Sequence, residues 1–154
     1  MFEPVSTMTD FYDGPRRGLA SFQGQPYLYQ SRFSDIDSDC NDTFLLSPVS
    51  PETLELALES WCIWLRWEAA FREGRTTEET HPSLPADSAR SAELDIELAA
   101  RLKIDESAAV CALGNFRARP GSSSELGTSP ELEVEWTPCS VEGYPDNRQS
   151  CDFY

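Results

Sequence analysis

The chain has 154 residues, the length of one domain, which buries roughly 68–70% of the surface its unfolded form exposes. Its 40% hydrophobic content supports a packed core rather than a disordered chain. With 27 acidic against 12 basic residues the net charge is −15, a field that repels nucleic-acid phosphates and anionic lipid and disfavours both as partners.

The opening MFEPVSTMTDFYDG lacks the basic start and apolar run of a signal peptide. No run of about 18 apolar residues follows. The expected location is therefore cytoplasmic. After the turn signal Asp13-Gly14-Pro15, two β-prone runs, Arg17 to Phe22 and Pro26 to Phe33, flank Gln23-Gly24-Gln25 and read as a hairpin. Tyr27, Tyr29, Ser31 and Phe33 alternate with Leu28, Gln30 and Arg32. An acidic loop, Asp35 to Asp42, leads to a third strand over Thr43 to Val49.

The most apolar segment is Ser50 to Arg75, with three of the four tryptophans. Ser50 suits an N-cap, Pro51 the first helical position and Glu52 the first turn. At about 100° per residue, Leu54, Leu58, Trp61 and Leu65 form a narrow stripe, read as the core face, with Trp61 deep in the core. Leu56, Ile63, Trp64, Trp67 and Phe71 cover a second face. Trp64, Trp67 and Phe71 are the candidate partner-binding residues, because large aromatics dominate binding hot spots. Glu55, Glu59, Arg66 and Glu73 make a thin polar strip, and Glu68 pairs with Arg72 at i, i+4.

Polar, proline-containing residues 76–85 connect to a second helix over Pro85 to Lys103. Two further strands, Ser107 to Arg119 and Glu131 to Trp136, enclose a Gly/Ser/Pro-rich loop at 120–130. Leu132, Val134 and Trp136 alternate with Glu131, Glu133 and Glu135, which gives one buried and one acidic face. A symmetric antiparallel register sets Arg119 opposite Glu131 and Arg117 opposite Glu133. The polar residues 139–154 read as a mobile tail beyond a single domain at 1–138. The resulting class is α+β: an antiparallel sheet of about five strands, order β-β-β-α-α-β-β, with two helices packed on one face.

Chemical signatures are sparse. Asp35, Asp37 and Asp39 have the opening rhythm of a calcium loop, but Cys40 stands where that loop needs glycine and Leu46 where it needs glutamate. No metal site is expected, and Asp35, Asp37, Asp39 and Asp42 are expected to be solvated. Cys40, Cys62, Cys111, Cys139 and Cys151 lack zinc-ligand spacing. Cys62 and Cys111 read as buried thiols, while Cys139 and Cys151 are expected to be unpaired in a reducing cytosol and to be able to bridge if the protein is exported. His81 is the single histidine, without a nucleophile elbow or phosphate-cradling loop elsewhere.

These observations favour a small acidic protein that acts by protein–protein interaction, as an adaptor, inhibitor or immunity-type factor, with no cofactor. Its partner is a protein, basic or a second copy of the chain. The alternatives are a metal-independent enzyme using His81 with nearby carboxylates, and a structural homodimer subunit.

Overall fold

A computed structural model describes residues 1–11, 15–31, 43–105, 107–121 and 131–138. The acidic loop, the tail with Cys139 and Cys151, and most of the 120–130 loop lie outside the described residues. Strands and helices segregate as an α+β chain, and the contacts divide it into two compact units. One comprises Met1–Pro48, Lys103–Arg117 and the strand from Leu132; the other comprises Val49–Leu102 and 118–131.

Among the described residues the first unit is an antiparallel sheet of seven strands rather than about five. They are β1 (Phe2–Pro4), β2 (Asp10–Phe11), β3 (Pro15–Phe22), β4 (Gln25–Ser31), β5 (Thr43–Pro48), β6 (Val110–Ala118) and β7 (Leu132–Pro138). Their order is β1-β7-β6-β5-β4-β3-β2. The two unexpected strands, β1 and β2, are three and two residues long, too short to show a period-2 pattern. The β3–β4 hairpin turns through Gln23 and Gly24, both left-handed at φ 54° and 78°, as a two-residue hairpin loop with the right twist requires. The expected β6–β7 register holds: the Arg119 N–H donates to the Glu131 carbonyl at 2.8 Å. Arg117 pairs with Glu133, and Arg119 with Glu131 at 3.2 Å.

The N-terminal segment hydrogen-bonds on both of its sides. Phe2 pairs with Glu135 and Pro4 with Glu133 of β7. Val5 then bridges Ala20 of β3, while Ser6 and Thr7 donate to the Leu19 carbonyl at 2.8 and 3.1 Å. Side chains fasten the same seam. The Glu3 carboxylate accepts the Gln23 and Gly24 N–H groups at 3.1 and 2.9 Å. Trp136 Nε1 reaches from β7 to the Ser21 carbonyl of β3 at 3.0 Å.

One face of this ladder carries the core: Ala20, Phe22, Tyr29, Phe44, Leu46, Ala112, Val134 and Trp136. Tyr29, Phe44, Phe116 and Trp136 meet in tilted and edge-to-face contacts, with Phe44 and Trp136 at 5.5 Å between ring centroids. Burial pushes the Tyr29 phenol far above its ordinary range, so it stays a neutral donor, bonded to the Thr7 carbonyl at 2.9 Å.

The second unit holds α1 (Pro51–Arg72) and α2 (Ser88–Arg101). The expected N-cap is present: Ser50 Oγ accepts the Thr53 N–H at 3.1 Å, and Pro51 opens the helix. Its end is a Schellman closure on Gly74, φ 75°, with Gly74 N–H bonded to the Phe71 carbonyl and Arg75 N–H to the Ala70 carbonyl. Helix α2 is shorter than expected at both ends: Pro85–Asp87 forms a separate tight turn of helix before it, and Leu102 leaves the helical conformation after it at φ −92° and ψ 80°.

Candidate functional site

Helix α1 has three working sides. The first is a seam to α2, built from Glu52, Glu59 and Arg66, each seven residues after the last and so on one line of the helix. These meet Arg101, Arg90 and Asp87 in antiparallel order. Two of the pairs are bidentate. Arg66 forks onto Asp87 at 3.1 and 3.0 Å, and Arg90 onto Glu59 at 2.6 and 2.8 Å. Those arginines hold the Glu59 and Asp87 carboxyls below their ordinary range. Half of the strip that looked like an idle polar surface is therefore the attachment line for α2.

The second side is the buried one: Thr53, Ala57, Ile63, Trp67, Glu68 and Ala70. Trp67 is 7% exposed. It stacks on Phe71 at 5.0 Å between ring centroids, and the ring of His81 meets it edge-on at 4.7 Å. Its indole N–H donates to Thr80 Oγ1 at 2.9 Å, and that hydroxyl also bonds Thr76 Oγ1 and the Thr77 carbonyl. The connection after α1 thus folds back and seals Trp67. Glu68 is buried beside it and neutralised by Arg72 at 2.8 Å, the expected i, i+4 pair.

The third side is the stripe Leu54, Leu58, Trp61 and Leu65. The expectation of a core face there is corrected: Leu58 is 37% exposed, and Leu54, Trp61 and Leu65 are only half-buried. Trp61 lies flat on Trp64 at 5.0 Å, which keeps its ring at the surface of the helix rather than in a core. The next residue, Cys62, is a free and exposed thiol, not the buried one expected; Cys111 is half-buried rather than buried.

The three aromatics proposed from sequence consequently separate. Trp67 is interior, Trp64 is half-buried beneath Trp61, and Phe71 is 40% exposed. Sequence periodicity found both apolar stripes and took the wrong one as core. The signal that discriminates them is side-chain size. Ala57 and Ala70 lie on the Trp67 side, where small residues leave room for the rings and for close packing. The Leu54 stripe contains no small residue.

His81 is exposed, and its recorded ring contact is with Trp67. Among the described residues, no group of three or more His, Cys, Asp and Glu side chains is arranged to hold a metal ion. Nor is any helix among them long and apolar enough to cross a membrane. The chain matches no family model, no curated protein and no solved structure.

Proposed function

We propose that this protein works by binding another protein through the Leu54–Leu58–Trp61–Leu65 side of α1. The observation that carries the reading is the partial exposure of an apolar stripe, with Leu58 37% exposed and Leu54, Trp61 and Leu65 half-buried, on a helix whose other sides meet α2 and the connection after α1. An apolar stripe of this kind costs free energy in water and returns it on burial, at about 25 cal/mol per Å². Trp61 supplies the large, rigid anchor that interface hot spots favour, already oriented by its stack on Trp64. Phe71, 40% exposed, stacks on Trp67 on a different side of the helix from this stripe.

The test is a photoreactive residue installed at position 58, compared with one at Leu113, which is 46% exposed on the sheet unit. In native extract the first should crosslink a protein in a saturable manner. Unlabelled wild type should compete, and unlabelled Leu58→Asp should not. Equal labelling from both positions would remove the reading.

A further inference from the structure

We infer that the partner presents a basic amphipathic helix to this stripe. The inference rests on the reading of the stripe as an interface and adds the chemistry of its occupant. Leu54 to Leu65 follows i, i+4, i+7, i+11, so the contact line runs along about three helical turns, about 16 Å at 1.5 Å per residue. A straight, narrow apolar line of that spacing matches the seam of another helix lying alongside. It lies about 130° around α1 from the Glu52–Glu59–Arg66 line that receives α2, judged at 100° per residue. A helix there would flank α1 on the side away from α2.

Charge selects the sign of that helix. The five cations of residues 49–102 are Arg66, Arg72, Arg75, Arg90 and Arg101, and each is already paired with a carboxylate of the same unit. The acids outnumber them, and among the described residues Glu55, Glu78, Glu79 and Asp95 enter no ion pair. At about 100° per residue Glu55 lies about 60° beyond Leu58, while Arg72, the charge on the stripe's own line past Leu65, is paired with Glu68, so the surplus of the unit is acidic. A second copy of the chain would bring the same surplus and a further net −15 against it, whereas a helix with Lys or Arg beside its apolar seam gains attraction at every step of approach. Anionic lipid and nucleic acid are disfavoured by the same field.

The experiment uses the intact protein and three synthetic 18-residue peptides, followed by fluorescence anisotropy at low and high salt. One is a Leu/Lys helix with a single apolar seam, the second a scramble of the same composition, and the third a Leu/Glu helix with the same seam. The seam-bearing basic peptide should bind at least tenfold more tightly than its scramble, weaken with salt, and lose that advantage on Leu58→Asp. The acidic peptide should not bind. Leu58→Gln, a milder change, should act in the same direction if Leu58→Asp disturbs the fold.

Equal binding of seam and scramble, or binding indifferent to position 58, would overturn the inference. So would a concentration-dependent dimer dissolved by Leu58→Asp, which would make the occupant a second copy. Crosslinking from position 58 to a protein partner, together with failure of the basic peptide, would overturn the basic-helix identity and leave the interface standing.

Discussion

The indole of Trp136 rests on the bare backbone of Gly114: a Cβ built at that position would come within 2.7 Å of Trp136 Cζ3 and 2.9 Å of Phe44 Cε1. Glycine here supplies space, not an unusual backbone angle, and the aromatic core of the sheet closes over it. Gly114→Ala should therefore destabilise by about 1–3 kcal/mol, the usual cost of overpacking a filled core. Urea unfolding of the two proteins measures it, and an unchanged midpoint would show that the rings have room to shift.

The seam between the N-terminal segment and the β3–β4 turn depends on one carboxylate. Glu3 accepts two adjacent backbone N–H groups, from Gln23 and Gly24. Glu3→Ala should cost about 1.5 kcal/mol, the low end for hydrogen bonds to a charged group. Hydrogen exchange should show faster exchange at the Gln23 and Gly24 amides specifically. Unaltered protection at both would mean that the turn holds without the latch.

Trp67 should behave as a core residue. Its truncation to alanine removes a 7% exposed ring together with its bond to Thr80, and should cost about 3–5 kcal/mol. Trp67→Phe keeps most of the volume and gives up the donor, a loss of about 1 kcal/mol. Thermal unfolding of the pair separates packing from hydrogen bonding. Equal losses would mean that the hydrogen bond dominates.

The α1–α2 seam makes the helical unit acid-sensitive. Glu59 and Asp87 have folded-state pKa values held below their ordinary 4.5 and 3.8 by Arg90 and Arg66. A depressed carboxylate pKa contributes stability that is present above the unfolded value and lost as pH falls through the folded one. Melting temperature should thus hold down to about pH 4.5 for this contribution and fall below it. Glu59→Gln should reduce the slope there, and added salt should reduce the difference between the two proteins. Parallel acid profiles for Glu59→Gln and wild type would show that the pair contributes nothing to the pH dependence.

Much of the fold was legible from local chemistry. Ser50-Pro51 marked the start of α1, Gln23-Gly24 the hairpin, and the alternation of Arg117 and Arg119 against Glu131 and Glu133 the β6–β7 register. Each of these depends on residues close in sequence or on a single symmetric pairing. What was not legible depends on long-range choice. Phe2–Pro4 becomes a strand because β7 and the Glu3 contact to the distant hairpin hold it there. The two apolar stripes of α1 are equivalent in periodicity, and only the packing of the helix decided between them. The thin polar strip concealed the α2 seam because a charged residue looks the same in sequence whether it faces water or an opposite charge.

The central claim is that Leu58 belongs to a binding surface and Trp67 to the interior. It is tested most directly by measuring melting temperature and affinity together for Leu58→Asp and Trp67→Ala, against the protein crosslinked from position 58. Leu58→Asp should leave the melting temperature within a few degrees of wild type and weaken association by at least tenfold. Trp67→Ala should lower the melting temperature strongly. A Leu58→Asp protein that binds as wild type does, or that unfolds as readily as Trp67→Ala, would contradict the account.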